Sequence, residues 1–234
     1  MLELLKPYKI NSNKLRLGPD EDGGYVASTI SIDNSKALFT YGVGHDIRYE
    51  EAYRAQTGND SYLYDHTIGR EDGWDIGSQL NFYNEGLGFQ PNCGDFINHY
   101  NKLNIEGDVL LKIDVEGSEY DYFEKVNIEQ LSKITTGILL ELHWVSDKGY
   151  QERAKNILEN LYQYFTLTHI HGNAWGALFD YKGYSAPETF ELSLVNNKYI
   201  TDKELDTQNY PIDGLDVSNR PSYPDVDLSF LNKL

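Results

Sequence analysis

One cysteine, one methionine and no apolar run of membrane-helix length are the first scarcities of this 234-residue chain. A lone thiol, Cys93, excludes an internal disulfide framework and any cysteine-rich zinc site, and it fits a reducing compartment. No stretch reaches the roughly 18 apolar residues of a membrane span, and the opening MLELLKPYKINSNK lacks the basic-then-apolar order of a secretion signal. A soluble, cytoplasmic protein is expected. Basic residues are also few: 20 Lys and Arg stand against 37 Asp and Glu, for a net charge of −17. Affinity for a polyphosphate rests on Lys and Arg neutralising phosphates, so this balance argues against nucleic acid and against docking on an anionic membrane. A small anion such as a sugar nucleotide stays open, because a few placed groups, Arg16, Arg70 or Arg220 among them, could hold one phosphate. Repeats, low-complexity tracts and Gly/Ser linkers are missing too, so one domain over 1–234 is expected.

What is present is strand followed by helix, several times over. KALFTY (36–41) reads as a short buried strand that stops at Gly42-Val43-Gly44, and the segment after it is helical until Gly58. SYLYD (61–65) is the second strand, and LNFYNEGLGF contains a third. Asp95 is a plausible cap for a helix to Leu103. VLLKIDV is the fourth strand, followed by an acidic amphipathic helix near 118–131, a strand at 137–144 and a helix over 149–163. FTLTHIHG and TFELSLVN alternate as strands, and a Pro- and Asp-rich tail closes the chain. Alternating βαβ units predict a mostly parallel sheet with helices on both faces, and ligands in such sheets sit at the carboxyl ends of the strands where strand order reverses. The expected division is an N-terminal lid or acceptor segment (1–35), a core (36–196) and a tail (197–234).

The strand ends carry the candidate chemistry. Gly42 and Gly44 make a GxG loop, but Ile47 stands where a third glycine would complete a pyrophosphate cradle. Asp65 ends the second strand about 20 residues later, the place for a carboxylate that accepts from ribose hydroxyls. An adenosine ligand without a pyrophosphate is favoured over NAD. Asp114 and Glu116 end the fourth strand and point at the same crevice, although Glu116 and Glu119 equally suit the start of the following helix. Tyr41, Tyr64 and Trp144 lie near strand ends, where an aromatic face can attract a cation. In ELHW, Glu141 and His143 alternate to one side, so the carboxylate is expected to orient the imidazole as a general base. Asp114, Glu141 and His143 could also converge on Mg²⁺ or Mn²⁺. His169, His171, Asn173 and Trp175 alternate toward one side of HIHGNAWG, a stacking face beside polar groups that suits a sugar ring. RLGPDEDGGYVA reads as a hairpin turn or as an acceptor wall, with Asp22 at the crevice and Arg16 toward an anionic group.

LLKIDVEGSEYDYF resembles the signature of FkbM-type methyltransferases, and RLGPDEDGGYVA, YGVGHDIRYEE, LELHW, HIHGNAWG and GLDVSNRPSYPDVDLSF are similar to the sugar-associated branch of that group. The resemblance implies a class I methyltransferase Rossmann-like fold with a seven-stranded sheet, S-adenosylmethionine as donor, and O-methylation, most simply of a sugar or nucleotide-linked sugar for a capsular or other surface polysaccharide. The residues read above then divide into Tyr41, Gly42, Gly44, Asp65, Asp114 and Glu116 as expected donor contacts and Arg16, Asp22, His169, His171, Asn173 and Trp175 as expected acceptor contacts. A nicotinamide-dependent oxidoreductase and a non-catalytic glycan-binding module stay open as alternatives.

Overall fold

The computed structural model describes residues 1–69 and 80–234. Its central sheet contains β1 (Ala37–Tyr41), β2 (Asp60–Tyr64), β3 (Leu80–Tyr83), β4 (Val109–Ile113), β5 (Thr135–Leu142), β6 (Phe165–Gly172) and β7 (Phe190–Asn196). The strand order is β6-β7-β5-β4-β1-β2-β3, with β7 antiparallel to both of its neighbours and the others parallel where they pair. This is the mostly parallel α/β sheet of the class I methyltransferase fold. Strand order reverses between β1 and β4, so their carboxyl ends diverge into a crevice.

Alternation along the strands divides two cores. Phe39, Leu111, Ile113, Ile138, Leu140 and Leu142 face one side, while Leu38, Leu110 and Leu139 face the other. Helix α1 (Arg48–Thr57) covers the smaller core through Tyr49 and Tyr53. The larger is covered by α2 (Phe96–Leu103), α3 (Ser118–Phe123), α4 (Ile128–Lys133) and α5 (Lys148–Leu161). Each buried Leu or Phe contributes roughly 1.5–3 kcal/mol, and β5 is buried along its whole length.

Three expectations change in detail. The single helix over 118–131 is two, because the Asn127 side chain accepts from Gln130 N–H (3.0 Å) and starts a new helix there. The strand expected to reach residue 144 ends at Leu142, and Trp144 takes left-handed backbone (φ 54°). In β6 the register shifts between Leu167 and His169, so Leu167 and Ile170 both face the core and strict alternation is lost.

The terminal segments pack on this frame. Leu2 and Leu5 are fully buried in the larger core, and Tyr210, Leu228, Phe230 and Leu231 of the tail are buried there too. RLGPDEDGGYVA forms a hairpin, Lys14–Leu17 paired with Tyr25–Ser28, whose loop stands over the crevice. Arg70 lies outside the described residues.

Candidate active site

A cleft of about 500 Å³ opens at the carboxyl ends of β1 and β4, where Gly42, Asp65, Asp114 and Glu116 meet Asp22 of the hairpin loop and Lys112 at its floor. Two glycines let the strand ends approach this closely. Gly42 has φ 78°, and a Cβ there would lie 1.5 Å from the Asp114 carbonyl oxygen. Gly117 has φ 94°, and its Cβ would lie 2.2 Å from the Trp144 ring. Only glycine has both the backbone freedom and the missing atom that these positions demand.

Asp65 braces the glycine loop. Its Oδ2 accepts from Val43 N–H and Gly44 N–H (both 3.1 Å), and its Oδ1 accepts from Thr67 N–H (2.8 Å) and the Thr67 hydroxyl (2.6 Å). Burial raises its pKa, but these bonds outweigh burial and hold it below the ordinary value. Tyr41 does not line the cleft as expected. It is fully buried, its hydroxyl pairs with His99 Nδ1 (2.8 Å), and its ring stacks on Tyr64. The aromatic side chains that line the cleft are Tyr49, Tyr64 and Phe89.

Behind Asp114 lies a buried polar group. The Tyr25 hydroxyl is placed to donate to Glu141 Oε2 (2.8 Å) and to Asp114 Oδ2 (3.0 Å). A phenol has one proton, so both contacts are made at once when Glu141 carries its own proton and donates back. Burial, then the charges of Asp114 and Glu191, push the Glu141 pKa well up, which agrees. Asn173 completes the group by donating from Nδ2 to Glu141 Oε1 (2.8 Å).

His143 comes next, just past β5. Its orienting partner is Glu119 rather than Glu141. Glu119, fully buried at the start of α3, accepts from Gly117 N–H (2.7 Å) and His143 N–H (3.0 Å) and lies 3.1 Å from His143 Nδ1. A proton on Nδ1 directed at Glu119 leaves the Nε2 lone pair facing Glu116 (3.4 Å), Asp114 (3.7 Å) and Glu141 (3.8 Å). Burial lowers the His143 pKa, but the Glu119 bond and the charges of Glu119, Asp114 and Glu116 raise it further, for a net upward shift. Ligand atoms of Asp114, Glu141 and His143 lie within 4.8 Å of one another, a set able to hold a divalent ion.

The expected acceptor residues separate. Arg16 donates from its guanidinium to the carbonyls of Pro19 and Glu21, so it shapes the hairpin loop instead of facing an anion. His169 is buried against Asp216 (2.7 Å), and His171 sits between Glu191 (3.1 Å) and Asp225 (2.8 Å). Both fasten the tail through Asp216 and Asp225. Asp22 remains at the cleft, its Oδ1 accepting from Asn219 Nδ2 (3.1 Å), with burial raising its pKa. Asn173 reaches the cluster through Glu141, and Trp175 is an exposed surface ring.

Three participants escaped the sequence reading. Glu119 suits the helix start as readily as the site. Tyr25 passed as a strand residue, although a phenol directly after a double-glycine turn signals one. Lys112 stands inside an apolar run of the sequence, and the fold buries it with its ammonium 4.7 Å from the Tyr25 ring centroid.

The Methyltransferase FkbM domain matches residues 19–173, more than half of the chain. The chain belongs to that family, and with it to the methyltransferases. No curated protein matches it. Among solved structures, one titled as an rRNA methylase from Streptococcus thermophilus is similar at 10% identity over 71% of this chain and 89% of that one, with a TM-score of 0.40. Among the described residues, no helix is long and apolar enough to cross a membrane.

Proposed function

We propose that the protein is a cytoplasmic S-adenosylmethionine-dependent O-methyltransferase acting on a hydroxyl of a small polar acceptor, a sugar or nucleotide-linked sugar destined for a surface polysaccharide. The observation that carries this reading is the placement of His143, with Nδ1 on Glu119 and Nε2 facing Asp114 and Glu116 on the cleft side. The donor supplies a methyl group on a cationic sulfur. An acidic rim suits that charge, and the Gly42–Gly44 loop braced by Asp65 suits close approach of an adenosine. In the in-line step the acceptor oxygen bonds the methyl carbon while the carbon–sulfur bond breaks and sulfur keeps the electron pair. The hydroxyl proton passes to His143 Nε2. Ile47, buried where a pyrophosphate loop wants glycine, weighs against nicotinamide chemistry.

A second reading adds Mg²⁺ or Mn²⁺, motivated by the convergence of Asp114, Glu141 and His143. These residues fit such an ion by donor type, with Glu119 supporting the histidine from behind, and the proton on Glu141 would be the one displaced. The ion would supply a Lewis-acid hold on neighbouring acceptor hydroxyls.

Calorimetry with S-adenosylhomocysteine tests the donor site. Wild type should bind it, and Asp65→Ala should bind at least tenfold more weakly, because the loop loses the acceptor for two N–H groups. A wild type that ignores S-adenosylhomocysteine and S-adenosylmethionine yet is stabilised by NADH would overturn the proposal. Activity abolished by EDTA and restored by Mn²⁺ would establish the second reading, and activity indifferent to EDTA would remove it.

A further inference from the structure

We propose that Trp175, Arg220 and Tyr223 form a platform beside the cleft that binds the nucleoside diphosphate part of a nucleotide-linked acceptor. This deepens the methyl-transfer reading and rests on it only for the identity of the bound molecule as acceptor.

The first observation is an uncommitted guanidinium in a strongly acidic chain. Arg48 is taken by Asp46 and Glu21, Arg153 by Asp121 and Glu124, and Arg16 by backbone carbonyls, while Arg54 on α1 shares with Arg220 a guanidinium without a carboxylate partner but has no aromatic ring to hold it among the described residues. Among the described residues, no carboxylate lies within ion-pair distance of Arg220 and none of its guanidinium N–H groups is hydrogen-bonded.

The second observation is how that guanidinium is held. Its central carbon lies 3.6 Å from the Tyr223 ring centroid and 5.1 Å from that of Trp175. Stacking on an aromatic face fixes the plane of the fork and leaves its N–H edge free, the geometry that accepts two phosphate oxygens at once. The rings are open to a ligand, with Trp175 57% and Tyr223 53% exposed. A ring face beside a cation offers a base or sugar a surface to stack on while its phosphate meets the arginine.

The third observation is anchorage to the candidate active site from two directions. Preceding Arg220, Asn219 is fully buried. Its carbonyl accepts from Asp22 N–H (3.0 Å), and its side chain donates to Asp22 (3.1 Å) and Glu191 (2.5 Å). Trp175 N–H donates to Asn173 Oδ1 (2.8 Å), whose amide holds Glu141. The platform is therefore one residue from the cleft wall at Asp22 and two hydrogen bonds from Glu141. A phosphate held there would place the rest of the molecule toward the Asp114–His143 side.

Binding of uridine diphosphate, inorganic pyrophosphate and S-adenosylhomocysteine is measured by calorimetry on wild type, Arg220→Gln, Arg220→Lys and Trp175→Ala. We expect uridine diphosphate to bind wild type at least tenfold more tightly than pyrophosphate. Arg220→Gln should weaken it roughly 10- to 100-fold, Arg220→Lys should restore it in part, and Trp175→Ala should weaken it without changing S-adenosylhomocysteine affinity. Equal uridine diphosphate affinity in wild type and Arg220→Gln, or none in wild type up to millimolar concentration, would overturn the platform. Pyrophosphate binding as tightly as the nucleotide would overturn the nucleoside assignment. Loss of S-adenosylhomocysteine binding in wild type would count against the donor reading alone, since the nucleotide titration decides the platform separately.

Discussion

His143 is a base only if its proton inventory is right, and Glu119 controls that inventory. Burial alone would leave the imidazole easily deprotonated, but the Glu119 bond and the surrounding carboxylates hold its pKa above the ordinary histidine value. Turnover should therefore rise with pH through that raised pKa. Glu119→Gln removes the leading upward cause, so the rising limb should move to lower pH, a displacement that mere loosening of the fold would not produce. His143→Ala should lower turnover by about 10² to 10⁴ with S-adenosylhomocysteine affinity retained. A wild-type pH profile in Glu119→Gln, or near-normal turnover in His143→Ala, would remove the assignment. Legibility at this scale was uneven for a physical reason. Asp114, Glu141 and His143 stand at strand ends, where period-2 alternation and the reversal rule fix direction, so their convergence could be anticipated. Glu119 acts across a helix start onto a neighbouring strand, a contact with no local spacing to reveal it.

Elements decide how closely these residues approach, and here glycine positions carry the test. Gly42 and Gly44 both have left-handed backbone, but a Cβ on Gly42 meets the Asp114 carbonyl while one on Gly44 meets nothing within 4 Å. Gly44→Ala should therefore cost only the conformational penalty, about 1–2 kcal/mol. Gly42→Ala adds a backbone overlap, should cost clearly more in urea unfolding, and should abolish donor binding by separating β1 from β4. Equal losses in the two variants would show that the close approach is relieved elsewhere. The strand–helix rhythm, the hairpin and the stop of α1 at Gly58 were legible because hydrophobic period and glycine punctuation act locally. The β6 bulge was not, because it is set by pairing with β7. Nor was the tail's cover of His169 and His171 legible, because Asp216 and Asp225 lie 47 and 54 residues further along the chain.

At the scale of the whole molecule, an excess of carboxylates must be kept folded around few cations, and buried histidines serve where the tail closes over the sheet. His171 lies between Glu191 of β7 and Asp225 of the tail, with His169 and Asp216 beside it. Burial opposes its charge, but Glu191 and Asp225 prevail and push its pKa up to about 10. The sign follows from linkage. A group whose folded pKa exceeds its unfolded value, about 6.5 for histidine, stabilises fully below that value, and the contribution is lost as pH rises through about 10. Wild-type stability should thus decline from near neutrality toward pH 10, with amide exchange rising first in the tail. His171→Ala leaves two carboxylates facing each other without a cation and should cost about 3–5 kcal/mol at neutral pH. His171→Gln keeps the volume and part of the hydrogen bonding, should cost less, and should flatten the alkaline decline. Urea midpoints measured from pH 6 to pH 10.5 on the three proteins check this: the same alkaline slope in His171→Gln as in wild type would assign the decline to other groups and leave the tail held by its apolar residues, Tyr210, Leu228, Phe230 and Leu231.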